Sequence, residues 1–222
     1  FAASDSRFIV INNKKNIGLS ETREEGVKVS SKEYLCFLDG DDLIDLDTLL
    51  NQINQMKNCK SEAMISGWMQ YDDMTKQNSY HNSYSKQIIL DTNIHNSPFE
   101  IPLKNPCWSM IFNTNFYKNN LKFIGKKRED RDFVLRSFLK INKLLINTFE
   151  ITHIYRINRR DQKSIMQLQS QTQEKVFMLD HLERFIDEYR KDAIIEFSNS
   201  LNLSGIIFTK RFLNEIIFEA NI

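Results

Sequence analysis

Apolar and polar positions change period several times along the chain. Residues 7–12, RFIVIN, are a short β-branched run that predicts a strand. NKKNIGLS follows as a loop in which Gly18 supplies a turn. Ser20 opens a helix with Glu24 and Glu25 in its first turns, where the helix dipole favours carboxylates. Residues 34–38 form a continuous apolar run bounded by polar positions, the pattern of a strand buried on both faces. Leu46, Leu49, Leu50 and Ile53 then recur at helical spacing, predicting a helix over 46–56. Strand and helix alternating in this way suggest α/β architecture with a parallel sheet.

Farther on, EAMISGWMQY predicts a strand, residues 78–85 a loop or hairpin, and Pro98, Pro102 and Pro106 an extended segment leading into the strand CWSMIF. A short helix is expected over 114–119. A stronger one follows over 130–141, with Phe133, Val134, Phe138 and Leu139 on one side. KLLINTF and THIYRIN read as two strands. From residue 171 the period is helical again, with Val176, Leu179, Leu182, Phe185, Ile186 and Tyr189 in one stripe and a break at 198–205 before a last helix. No internal repeat interrupts this order.

Composition narrows the function classes. The 222 residues suffice for one domain with a sizeable core, or one domain and an appendage. A net charge of +1 gives none of the positive field of a nucleic-acid binder. Cys36, Cys59 and Cys107 are odd in number and unpaired in spacing, which fits a reducing compartment better than a disulfide framework or a zinc site. His81, His95, His153 and His181 have no metal-ligand spacing and read as surface or satisfied core. No apolar run reaches the roughly 20 residues that span a bilayer. The chain opens on Phe1 and closes while still apolar-periodic, so it reads as a piece of a longer protein.

One stretch demands a chemical explanation. The apolar run at 34–38 leads into Asp39, Gly40, Asp41 and Asp42. Ligands in open α/β sheets bind beyond the carboxyl ends of strands, so these carboxylates project where a site is expected. Three of them so close raise one another's pKa unless a cation or hydroxyl donor compensates. Mg²⁺ or Mn²⁺ suits such oxygen ligands, commonly through one or two carboxylates and substrate phosphates. The bland alternative is that Asp41 and Asp42 cap the following helix, with Asp39 a turn residue. An EF-hand is excluded, because Leu43 stands at a ligand position and the glycine is misplaced. An aspartyl phosphatase using Asp39 lacks a supporting lysine or threonine motif.

NIGLSETREEGVKVSSKEYLCFLDGDDLIDLDTL resembles the middle of a family 2 glycosyltransferase of GT-A fold: N-x-G, an arginine near a helix start, an apolar strand, then a D-x-D-type motif. CWSMIFNTNFYKNNLKFIGKKREDRDFVLRSFL resembles the family's acceptor-side segment, and IYRINRRDQKSIM the segment that closes over the donor diphosphate. The resemblance implies a Rossmann-like mixed α/β sheet flanked by helices. It places a GT-A domain at 1–166, without its first nucleotide-binding strands, and a C-terminal helical segment at 167–222. It further implies inverting, metal-dependent transfer of a sugar from a nucleoside-diphosphate donor to a saccharide or lipid-linked saccharide acceptor, without nucleic acid. The expected setting is bacterial surface-polysaccharide synthesis in the cytoplasm at the inner membrane face, with peripheral membrane association through other parts of the chain.

Residue by residue, the resemblance makes Asp130 the general base and Glu129 its neighbour that orients the acceptor or Asp130. One of Asp41 and Asp42 binds metal directly and the other reaches metal or ribose, and Asp39 supports them or touches the ribose. Arg23, Arg156, Arg160 and Ser164 meet the diphosphate, with Arg159 and Lys163 in the same basic loop, and Trp108 packs at the acceptor. Each has a plainer reading: a helix-start carboxylate for Asp130, solvated charges for the arginines, a core ring for Trp108. The rival from another class is a non-catalytic GT-A-like module for acceptor binding or assembly.

Overall fold

The structure is a computed structural model, and it describes residues 4–81, 88–90, 106–124 and 129–158. Helix α1 spans Leu19–Val29, entered through Gly18 at φ 87°, a conformation that glycine adopts without strain. Strand β1 (Tyr34–Cys36) and the short β2 (Leu43–Ile44) precede helix α2 (Leu46–Cys59). Strands β3 (Ala63–Asp72) and β4 (Asn78–His81) form a hairpin, and β5 is Ile88–Leu90. A single 3-10 turn, Cys107–Ser109, leads into β6 (Met110–Asn113), α3 (Thr114–Asn120), α4 (Glu129–Lys140) and the long β7 (Leu144–Ile157).

The seven strands make one sheet in the order β1-β6-β3-β7-β2, with β4 beside β3 and β5 beside β7. Of the pairings, β3 with β7 is parallel and the rest are antiparallel, so the sheet is mixed rather than the parallel one that strand–helix alternation suggests. Because β6 runs against both β1 and β3, strands β1, β3 and β7 point the same way. Their carboxyl ends therefore share one edge with the start of β6. The acidic stretch after β1, Asp72 at the end of β3 and Asp73 just past it, Arg156 near the end of β7 and Trp108 before β6 all belong to that edge.

Alternation along the central strands feeds two cores. Ala63, Ile65, Phe112, Leu144 and Ile146 join Phe133, Val134 and Phe138 of α4 on one face. Met64, Ile111 and Leu145 meet Met56 of α2 on the other. Tyr117, Phe123 and Phe133 have no more than 1% exposure. Each such side chain contributes about 1.5–3 kcal/mol by leaving water. The helices flank the sheet as a layer on either side.

Three further expectations are corrected. Residues 7–12 are not a strand: Phe8, Ile9, Val10 and Ile11 are 39–65% exposed, and no strand among the described residues pairs with them. A β-branched run becomes a strand through its neighbours, not its composition. In α2 the stripe is rotated, because Leu46 and Leu50 face out while Gln52 and Met56 are fully buried. Residues KLLINTF and THIYRIN join into one strand, β7, whose register against β3 shifts on either side of Gly67. A Cβ at Gly67 would stand 2.4 Å from the Thr148 carbonyl oxygen, so only glycine fits the bulge. Buried Gln52 serves the same place: its amide donates to the Asn147 and Glu150 carbonyls, and its oxygen accepts from Ser66 and Thr152. The expectations for residues 82–85, Pro98, Pro102, Arg159, Arg160, Lys163, Ser164 and the C-terminal helices lie outside the described residues.

Candidate active site

The acidic stretch is a turn, closed by the Asp42 N–H donating to the Asp39 carbonyl at 3.0 Å. Helix α2 starts four residues later, and its cap is Asp45, whose carboxylate accepts from the Thr48 N–H at 2.7 Å. Asp41 and Asp42 are therefore not the helix cap, whereas Asp39 is the turn residue that the plainer reading makes it. Asp42 is buried at 9% exposure, and its Oδ1 accepts the Arg156 backbone N–H at 3.0 Å. The open space beside Gly40 leaves the turn accessible on that side.

Asp39 has a different attachment. Arg23, on the buried face of α1, donates from Nη2 to Asp39 Oδ1 at 3.1 Å and from Nη1 to Glu129 Oε1 at 3.0 Å. Its guanidinium lies over the rings of Phe123 and Phe37, 5.1 and 6.0 Å from their centroids. Burial works against the arginine's charge, but the carboxylates of Asp39 and Glu129 outweigh it and hold its pKa up. Burial, reinforced by Asp130, raises the Glu129 carboxyl, while a backbone N–H and Arg23 act in the opposite sense. Glu129 and Asp130 are the first residues of α4, so the ion pair fixes the start of the helix that carries the expected base.

Trp108 is 8% exposed and belongs to an aromatic group. It stacks on Tyr155 at 5.8 Å and 16°, meets Trp68 edge-on at 5.2 Å, and lies 5.5 Å from the His153 ring. Trp68 and Tyr155 are half-buried, so they, more than Trp108, present ring surface at this edge. His153 Nε2 lies 3.0 Å from the Phe37 carbonyl, which can only accept; the proton of the neutral ring is therefore on Nε2, and buried Nδ1 has no partner among the described residues. Burial lowers the His153 pKa. Arg156 turns its guanidinium to Asp73, with Nε and Nη2 at 3.0 and 2.9 Å from Oδ2. Cys107, fully buried among Arg23, Asp39, Glu129 and Asp130, is pushed upward mainly by burial and stays a thiol.

Among the described residues no group of three His, Cys, Asp or Glu side chains is gathered to hold a metal ion. Asp41 and Asp42 offer carboxylate oxygens on one turn, and of these Asp42 Oδ1 accepts the Arg156 N–H.

The model of the family described as Glycosyl transferase family 2 matches residues 1–162. The chain belongs to this family. An uncharacterised glycosyltransferase of Methanocaldococcus jannaschii is 27% identical over 73 residues, 33% of this chain and 25% of the relative. Among solved structures, Staphylococcus aureus TarS 1–349 in complex with UDP-GlcNAc superposes with a TM-score of 0.58 at 14% identity, covering 91% of this chain and 62% of that one. TarS 1–349 in complex with UDP gives 0.52 at 17% identity, covering 64% and 40%. The fold is thus the GT-A fold that the resemblance implies. The chain spans a quarter of the curated relative and at most 62% of these structures.

Within this family 2 domain, the structure brings Asp39, Asp41, Asp42, Arg23, Glu129, Arg156 and Trp108 to one sheet edge, with Asp130 beside Glu129. Arg160 and Ser164 are not among the described residues. Reading the sequence missed Asp73, Trp68 and Tyr155. Asp73 carried a usable signal, since it stands two residues past a predicted strand whose end points to the site.

Proposed function

We propose that this family 2 domain transfers a sugar, with inversion, from a nucleoside-diphosphate donor to a saccharide hydroxyl, as one step in building a surface polysaccharide. The observation that carries the reading is the acidic turn, which no helix cap explains, facing the same edge as Glu129 and Asp130. In this reading Asp130 takes the proton of the acceptor hydroxyl as it attacks the anomeric carbon opposite the departing diphosphate. Asp41 and Asp42 hold a Mg²⁺ or Mn²⁺ ion, which neutralises charge on the diphosphate when bound. Trp68 and Tyr155, backed by Trp108, offer ring faces to the apolar side of the acceptor sugar. Arg156 reaches the diphosphate by leaving Asp73, and Arg160 and Ser164 complete that contact. The TarS structures hold UDP and UDP-GlcNAc, which makes uridine diphosphate the first donor fragment to test. The proposed setting is the inner face of the cytoplasmic membrane; among the described residues no helix is long and apolar enough to cross one.

The test is thermal unfolding of the longest natural chain with UDP, with and without Mn²⁺. At a hundredfold excess over Kd, a ligand that binds the native state raises Tm by about 5–10 °C for a domain of this size. A Mn²⁺-dependent rise that disappears in Asp42→Ala supports the reading. No rise with any nucleoside diphosphate favours the non-catalytic module.

A further inference from the structure

Arg23 is matched by the family resemblance to a contact with the donor nucleotide, yet it is buried and both terminal nitrogens already meet carboxylates. One of these, Asp39, closes the acidic turn; the other, Glu129, begins α4. The planar fork reaches both at once, which the single ammonium of lysine cannot reproduce. The flanking rings belong to the same two segments: Phe37 leads into the turn, and Phe123 lies on the segment that precedes α4. The guanidinium therefore has four fixed contacts, two on the donor side of the edge and two on the acceptor side.

Resting on the reading of Asp130 as the base, we propose that Arg23 is a positioning residue rather than a donor ligand: it locks the start of α4, and so Asp130, against the acidic turn. The two halves of the site come from segments far apart in the chain, and a base displaced by about 1 Å loses on the order of 100-fold in rate. Arg23 supplies the rigid link that prevents this, and Glu129 is its point of attachment on α4.

Three variants test it in the full chain: Arg23→Gln, Glu129→Gln and the double substitution. The expected result is a fall in kcat of about 100-fold in Arg23→Gln, with the Kd for UDP and Mn²⁺ within about threefold of the parent. Glu129→Gln loses turnover to a similar degree, and the double variant loses no more than the worse single one, as for two members of one unit. The double variant also removes the buried Glu129 carboxylate that Arg23→Gln alone leaves without its cation, while Asp39 is one-third exposed, so it guards against a fold lost to charge alone. A UDP affinity at least tenfold weaker, with turnover retained at saturating donor, would make Arg23 a donor ligand and overturn the proposal. Fully additive losses would overturn it as well. Hydrogen exchange gives a readout independent of activity: amides of residues 129–133 should exchange faster in Arg23→Gln, and unchanged protection refutes the lock. If the parent neither binds UDP nor transfers sugar while exchange quickens as expected, the functional reading fails and the structural link stands.

Discussion

Asp130→Asn keeps the size of the side chain and removes its capacity to take a proton. Turnover should fall by about 10²–10⁴-fold. Donor affinity should stay near that of the parent, because Asp130 faces the acceptor in the proposed chemistry; steady-state kinetics and calorimetry on the same preparation separate the two quantities. His153 makes a different prediction. Its ring is buried and neutral, with a pKa held below the ordinary 6.5. The unfolded chain gains a proton there as pH drops below about 6.5 and the folded chain does not, so this group's stabilisation is present above that pH and is lost as pH falls. The Tm of the parent should decline between pH 7 and 5, and His153→Gln should flatten that decline. At this scale the sequence exposed Asp39, Asp41, Asp42, Glu129 and Asp130, because carboxylates at a strand end or helix start stand out locally. It could not expose what Arg23 touches, since those partners meet it only through tertiary packing.

The elements were legible where periodicity and capping agree. Both α2 and α3 begin within a residue of the expected start, held by Asp45 and Asn113 as N-caps. Where a segment depends on a neighbour, local pattern misleads, as in residues 7–12 and in the two runs that merge as β7. Asp45→Ala should cost about 1 kcal/mol of stability and leave UDP affinity unchanged. Asp42→Ala should do the reverse, weakening Mn²⁺-dependent UDP binding with little change in denaturant midpoint beyond the loss of one backbone partner. The pair distinguishes helix cap from ligand site by chemical denaturation and calorimetry. Gly67→Ala should be among the most harmful single methyl additions in the sheet, destabilising by about 3 kcal/mol through overpacking against the Thr148 and Glu150 carbonyls.

For the molecule as a whole, strand direction decides the function more than any single element does. A pattern of strands and helices does not say which edge collects the strand ends; the antiparallel β6 between β1 and β3 does, and it gives β1, β3 and β7 one direction. The turn after β1 is then fastened to β7 through the Arg156 N–H on Asp42. That fastening comes from the main chain, not from the arginine. It is indifferent to the identity of residue 156, since every residue except proline carries the same donor. Drift at this position can therefore retune the guanidinium and its Asp73 contact without loosening the acidic turn. Arg156→Ala should preserve the placement of Asp42, and Arg156→Pro should release it. A change of side chain at position 156 thus alters how the site treats a ligand, while the peptide group keeps the acidic turn in place.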